Sequence, residues 1–555
     1  MNRSSYQTGK SFSAGASHPK PRLVSAVLIL IFLFQFVMLG YFNFTQIRNH
    51  MGYDSSWNYL KSTLIWKEKA LTSPNWYDDT NLQLDTHMLL VSLIYGLTGD
   101  IWLSQGIGNT LLVMLLLFFI WRILIRLRVG FNGRMIALNL VICPYLTNGF
   151  SVFNDLGYFN SILSGPSFYG LRILVVLMVF DLFLRIIQDG TVGGLACVVW
   201  LGCLLCGISS GVYLIISMLL PYLAYELEIT VIRNEWKQLL RKESIFAYSC
   251  CIFVLAGKFL AQFLLGYEAI DNDATWMSLE GLGRSFGSVI LGYMKLLQVL
   301  PVTGSTYHPI ISVTGLLRMG ALAVFILIVI SVVFIFRQTM RSFTEKDRTY
   351  LFLINILLVN ILILALENAS YGAPIFEERY LIIPFFATVL MVALFFHRLD
   401  PQRILSGILS LGMAAAILMV DIHSDVNYLK ETNDAWPMQQ IQTYAETQDA
   451  KIVYVWGNTL NVIGRSLRAW DLDRIYKLVM DGGGYFFHNW GDYLYLDTNE
   501  EYTGPTLLIC PGGQHLVPEN VLAEYTLLDD TLSYAVENEA GSLKVYVSEH
   551  NPKLW

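Results

Sequence analysis

The apolar residues of this chain are gathered into blocks. "LVSAVLILIFLFQFVMLGYFNF", Leu23 to Phe44, and "LLRMGALAVFILIVISVVFIF", Leu316 to Phe336, each match the roughly 20 helical residues needed to cross a hydrocarbon core. In lipid every backbone polar group must find its partner inside the segment, so such runs are helices. The composition agrees: of 555 residues 54% are hydrophobic and only 14% charged, with mean hydropathy +0.50. An ordinary soluble enzyme is excluded, and a polytopic membrane protein is what remains.

Spans are expected at about Leu23–Phe44, Ile101–Leu124, Met135–Phe153, Tyr169–Ile187, Leu195–Ser209, Val212–Ile229, Ile245–Leu265, Leu316–Phe336, Tyr350–Leu366, Tyr380–Phe396 and Ile404–Val420, about eleven in all. The pair around Gly207–Gly211 is short enough to be a re-entrant hairpin instead. Lys and Arg in short loops set the orientation. Arg122, Arg126, Arg128 and Arg134 share a side with Arg233, Lys237, Arg241 and Lys242, with Arg337, Arg341, Lys346 and Arg348, and with Arg398 and Arg403. That side also holds the N-terminus, so residues 1–22 form a cytoplasmic tail and the odd span count sends the C-terminus outside. The basic start resembles a signal peptide, but its apolar run is too long and lacks a cleavage site, so an uncleaved first helix is expected.

The net charge of −6 and the lack of a basic tract give no sign of a nucleic-acid partner. Six of seven cysteines lie in apolar segments, and Cys203 and Cys206 have no second pair, so neither a disulfide framework nor a zinc site is indicated. The domain plan is a transmembrane domain over 23–421, with a large first outer loop at 46–100, and an outer α/β domain over 422–555. In the latter, "DAWPMQQIQTYAETQDA" reads as a helix capped by Asp434 with Pro437 in its first turn. "KIVYVW", "PTLLIC" and "LKVYVS" read as short strands. "DGGGYF" lacks the Lys-Ser/Thr ending of a phosphate loop.

The first outer loop holds Asp54 just beyond the opening span, between Tyr53 and Trp57. It continues through an acidic cluster (Asp78, Asp79, Asp85) and His87 to a short apolar piece, Met88 to Leu97, which is expected to lie along the interface. The early acid, the interface helix ending "GLTGD" and the span "IWLSQGIGNTLLVMLLLFFIWRIL" resemble the opening of the GT-C superfamily of integral membrane glycosyltransferases, which includes protein O-mannosyltransferases and lipid A aminoarabinose transferases. "FEERYLIIPFFATVLMVALFF" is similar to the E-R-Y-L-x-x-P start of a late helix in that group. The likeness covers roughly the first 420 residues. Two departures stand out: Asp54 is followed by Ser55 where many members have Glu, and only "DTHML" stands where His-Pro-Pro is often found.

The resemblance implies a transfer of sugar from a polyprenyl-phosphate-linked donor to a glycan, lipid or protein acceptor, on the outer face of the plasma membrane. Such chemistry needs a carboxylate to take or orient the acceptor proton and cations to hold the leaving phosphate. Asp54 is the catalytic candidate, with Asp155 in "SVFNDLGYFN" as helper, through a divalent cation if one is used. Arg379 is the first choice for the phosphate, its guanidinium fork suiting that anion; Lys61 and Arg284 follow. Glu377 and Glu378 offer further oxygens, and Tyr53 and Trp57 offer sugar platforms. His87 either orients a phosphate or caps the interface helix.

Bland readings stand beside these. Asp54 is a solvated carboxylate balanced by Lys61, Arg379 a snorkelling anchor, and Asp155 a loop cap. Of the charges inside spans, Asp181 pairs locally with Arg185 at i, i+4, while Lys258 and Arg318 lie within reach of the outer side. Two rival classes remain: a transporter or lipid-sugar flippase, which needs broken helices and repeat symmetry, and a non-catalytic envelope assembly protein.

Overall fold

Each expected apolar run contains a helix, although that of Met135–Phe153 is helical only to Ile142 and residues 146–153 lie outside the described residues. The computed structural model describes residues 22–50, 53–73, 76, 82, 84–145, 157–165, 167–234, 236–265, 275–300, 309–341, 348–368, 378–399, 403–430, 437–457, 460–481, 502–512, 517–536 and 539–552. Its helices in the first part of the chain are α1 (Arg22–Tyr41), α2 (Tyr53–Glu68), α3 (Met88–Thr98), α4 (Ile101–Arg126), α5 (Phe131–Ile142), α6 (Gly170–Asp189) and α7 (Leu195–Ser210). After them come α8 (Leu220–Arg233), α9 (Lys242–Leu265), α10 (Leu279–Leu296), α11 (Val313–Arg341), α12 (Arg348–Leu366), α13 (Ile382–Leu399) and α14 (Arg403–Lys430). A two-residue ladder pairs β1 (Thr275–Trp276) with β2 (Glu367–Asn368) antiparallel.

Among the described residues seven helices are long and apolar enough to cross a membrane: α1, α4, α9, α11, α12, α13 and α14. The other four expected spans are also helical. However, α5 and α7 have only 12 and 16 residues, α6 carries Arg172, Asp181, Arg185 and Asp189, and α8 carries Glu226 and Glu228. The count of eleven therefore stands as seven clear spans and four marginal helices. Two helices fall where no span was expected. α2 has a mean composition too polar to cross, and α10 is amphipathic, with Ser278 capping its first turn through Gly281 N at 3.2 Å.

Local chemistry explains the joints. In "LTGDI" Gly99 takes the left-handed conformation (φ 71°) that ends α3, its N–H reaching Tyr95 O at 2.8 Å. Asp100 then caps α4, its Oδ1 accepting from Trp102 N and Leu103 N at 2.8 and 3.2 Å. α7 and α9 approach backbone to backbone, because Gly207 and Gly257 leave no Cβ where Val254 O and Leu204 O lie. The helix α13 is apolar on all sides and 89% of its span is buried, against 28% for α1, so it is the centre of the bundle.

The C-terminal part is an α/β unit. α14 runs on to Lys430, past the Asp421 boundary drawn from hydropathy. Beyond it lie α15 (Met438–Thr447), β3 (Ile452–Trp456), α16 (Asn461–Trp470), β4 (Ile475–Val479), β5 (Thr506–Pro511), α17 (Glu519–Leu522), β6 (Thr526–Val536) and β7 (Glu539–Ser548). The sheet order is β4-β3-β5-β7-β6, parallel over β4-β3-β5 and antiparallel over β5-β7-β6. All three expected strands are there. Pro437 caps α15 from outside instead of sitting in its first turn; Asp434 lies outside the described residues.

This unit is docked on the membrane part. Ala469 of α16 is buried in the same apolar core as the bundle. Arg48 lies 4.2 Å from the centre of the Trp470 ring and 5.6 Å from that of Trp102, and its Nη2 donates to Gln442 Oε1 at 3.2 Å. Trp470 Nε1 donates to the same oxygen at 2.9 Å. Burial pushes the Arg48 pKa down, against the opposing pull of Asp471, Asp100 and Glu446.

Candidate active site

The helix α2 carries the candidate acid. Tyr53 and Asp54 occupy its first turn, and their side chains lie outside the described residues, as do Asp155, Glu377 and the Glu378 side chain. What the structure describes is how the rest of α2 is held. Ser55 through Leu64 are buried without a break, unusual for a helix this polar. Its polar groups therefore need partners, and a strap at residues 82–87 supplies several.

Asn58 Nδ2 donates to Thr86 Oγ1 at 3.2 Å, and the same oxygen accepts from Met88 N at 3.1 Å at the start of α3. Lys61, only 1% exposed, donates from Nζ to Leu82 O at 2.7 Å and lies over the Trp57 ring at 5.4 Å. Trp57 in turn contacts Trp76, ring centres 6.2 Å apart. On the far side, Gly96 of α3 leaves room for the Trp66 ring, which any Cβ there would strike.

The strap is fastened to three more helices. His87 stands at the cap position of α3, yet its side chain does not cap; it hydrogen-bonds Gln105 of α4 instead. Asp85 is fully buried and pairs with Arg172 of α6, Nε to Oδ2 2.6 Å, while Ser210 at the end of α7 hydrogen-bonds the same carboxylate. The Arg172 guanidinium lies 4.8 and 5.4 Å from the ring centres of Tyr169 and Tyr213. The ion pair, the Ser210 hydroxyl and the two aromatic faces together offset burial, with Asp85 Oδ1 left without a hydrogen-bond partner among the described residues.

Sequence reasoning placed Asp85 in an acidic cluster with Asp78 and Asp79 and passed over Arg172, although an arginine near the start of an apolar run was the signal for it. It also paired Asp181 with Arg185. Asp181 instead reaches across to α4, bonded to Arg122 Nη2 and Arg126 Nε, each at 2.9 Å. Two cations from one neighbouring helix compensate a fully buried carboxylate better than one on its own helix. Ser210 and Asp85 have Arg172 beside them, which fits positioning and not a hydrolase triad.

Arg379 is the second residue of a 3₁₀ turn (Glu378–Leu381) leading into α13. It is half-buried, and its Nη2 meets Tyr380 OH at 3.4 Å with the guanidinium 5.2 Å from that ring centre. Arg284 is exposed on α10. Among the described residues no group of three or more His, Cys, Asp or Glu is placed to hold a metal.

No family model and no curated protein matches the chain. Among solved structures it is similar to ArnT from Cupriavidus metallidurans bound to undecaprenyl phosphate, with TM-score 0.58 and 12% identity over 95% of this chain and 97% of that one. The same enzyme in the apo state gives TM-score 0.56 and 9% identity over 94% of this chain and 98% of that one. At such identities the likeness is one of fold, and it spans nearly the whole of both chains. The fold is therefore ArnT-like, in an integral membrane protein with a small C-terminal sheet.

Proposed function

We propose that this protein is a membrane glycosyltransferase that moves a sugar from a polyprenyl-phosphate-linked donor to an acceptor at the outer face of the membrane. The observation that carries this reading is the end-to-end fold likeness to ArnT, one of whose structures is bound to undecaprenyl phosphate. The strapped α2 supports it, because a catalytic carboxylate needs a helix that cannot wander.

In this reading the acceptor hydroxyl attacks the anomeric carbon as its proton passes to Asp54. The new bond joins the acceptor oxygen to the sugar, and the bond from the sugar to the phosphate oxygen breaks. Polyprenyl phosphate leaves with its growing negative charge facing Arg379. Asp155 assists Asp54, while Glu377, Glu378, Tyr53, Trp57, Lys61 and His87 line or support the substrate side. A divalent cation, if used, would be held by Asp54 and Asp155. The C-terminal domain, docked on the membrane part through α16, selects the acceptor.

Membranes holding the native protein or Asp54→Asn, incubated with labelled polyprenyl-phosphate sugars, test the assignment. The expected outcome is a loss of transfer of about 10²- to 10⁴-fold in the variant. Equal rates would remove Asp54 from the mechanism.

A further inference from the structure

The chain on either side of Asp54 is gripped by one aromatic cluster, and part of that cluster belongs to the C-terminal domain. Six residues before Asp54, the Arg48 guanidinium lies 4.2 Å from the centre of the Trp470 ring and 5.6 Å from that of Trp102. Five residues after it, Tyr59 of α2 meets Trp102 edge to face, with ring centres 5.5 Å apart and planes at 88°. Trp102 and Trp470 close the figure, their ring centres 6.2 Å apart. Beyond the cluster α16 lies along α2, with Ala469 and Tyr59 in one buried core.

The members of the cluster are held to different degrees. Trp102 is the second residue of the span α4, and the Asp100 cap accepts from its backbone N–H at 2.8 Å. Tyr59 is only 1% exposed. Arg48 is half-buried in a short 3₁₀ turn, Ile47–His50, and groups of the C-terminal domain place its guanidinium. Gln442 Oε1 accepts from Arg48 Nη2 at 3.2 Å and from Trp470 Nε1 at 2.9 Å. A partly desolvated cation with an indole face and an amide oxygen supplied together is a directional contact, unlike plain apolar docking. Docking alone has no reason to fall on both flanks of one residue, and these contacts flank the proposed catalytic acid.

We infer that Trp470 is a positioning residue for the transfer step: the C-terminal domain completes the frame that fixes the first turn of α2, and with it Asp54, relative to α4. The chemical meaning of this inference rests on the glycosyl-transfer reading, and its mechanics rest on the contacts. Removing the Trp470 ring takes the nearer aromatic face from Arg48 and one of two donors from Gln442. The chain entering α2 is then free to shift, and a displacement of about 1 Å at a catalytic group costs up to about 10²-fold in rate. Arg379, the proposed phosphate holder, stands on a different element, the turn before α13. The rate of the step should therefore suffer while donor binding is kept.

The full chain in lipid nanodiscs carries the test, read by transfer of a labelled sugar from a polyprenyl-phosphate donor and by hydrogen–deuterium exchange over residues 53–64. Trp470→Ala should lower kcat about 10- to 100-fold with the donor KM within about twofold. Exchange over 53–64 should speed up about tenfold, with that of α13 unchanged. Trp470→Phe keeps a ring face and should recover most of kcat. If Trp470→Ala does not fold, Gln442→Leu serves: it removes the shared acceptor, leaves both indoles, and should lower kcat about threefold at constant KM. The inference is overturned by unchanged exchange over 53–64 in Trp470→Ala, by an unchanged kcat in either variant, or by a rise in donor KM at constant kcat. It is equally overturned by exchange that speeds up throughout the bundle, α13 included, which makes Trp470 a general stability contact. If the native protein itself transfers no sugar, the glycosyl-transfer reading fails, and the exchange over 53–64 still decides whether Trp470 holds α2.

Discussion

Arg172 and Asp85 show how one buried pair can govern a site it does not touch. Their contact joins α6 to the strap, and the strap holds α2 through Asn58 and Lys61. Asp85→Asn leaves a guanidinium buried without its counter-charge, and a loss of about 3–5 kcal/mol in stability is expected. Arg172→Met combined with Asp85→Asn removes both charges and should recover most of that loss in a chemical or thermal unfolding measurement, because the desolvation penalty disappears with the pair. Sugar transfer should stay low in the double variant, since the strap has lost its anchor. If the double variant is as active as the native protein, the pair is packing and not positioning. Ser210→Ala removes only one hydrogen bond to the same carboxylate, so a milder cost of about 1–3 kcal/mol is expected.

The junction between α16 and the segment before α2 turns on one arginine. Arg48 is held between Trp470 and Trp102 and shares Gln442 with Trp470, so one side chain ties the C-terminal domain to the segment six residues ahead of Asp54. Trp470→Ala should cost about 2 kcal/mol of docking energy, as expected for a partly desolvated cation–π contact. Limited proteolysis should then release the C-terminal domain faster than from the native protein, and unchanged cleavage would mean that the core around Ala469 does the holding. Elements of this kind mark where reading the sequence stops. The spans were legible because lipid imposes a 20-residue apolar run, and β3, β5 and β7 because their short apolar runs are bounded by turn residues. By contrast, α2 was not legible as a buried helix: its polar side chains look like solvent-facing ones until the strap that satisfies them is brought in from elsewhere. α10 was hidden in the same way, inside a segment read only as an outer loop. Pairings such as Asp85 with Arg172, or Asp181 with Arg122 and Arg126, join residues more than fifty positions apart, and no local pattern encodes them. Asp54 and Arg379 were singled out by residue type and position beside a span. Their distance from each other is a tertiary quantity that no periodicity contains.

For the whole molecule, the remaining step is which way it faces. The basic residues Arg122, Arg126 and Arg128 sit at one end of α4, and Arg337 and Arg341 at one end of α11. The strap, α2 and the C-terminal sheet share the opposite end of the bundle, as the contacts of α4 with both show: Gln105 near its start bonds the strap, and Trp102 meets Trp470, ring centres 6.2 Å apart. By the positive-inside rule the basic end is expected in the cytoplasm and the candidate active site outside. A membrane-impermeant maleimide checks this on whole cells carrying a chain whose exposed Cys197 is replaced by serine, with Thr531→Cys or Arg337→Cys added. Thr531 is exposed on β6 of the C-terminal sheet, whereas the other native cysteines are buried or half-buried. Thr531→Cys should label in intact cells and Arg337→Cys only after permeabilisation. The reverse pattern would place the strap and the sheet in the cytoplasm. A donor sugar would then have to be met on that side, and an outward-facing transfer could not be sustained whatever Asp54 does.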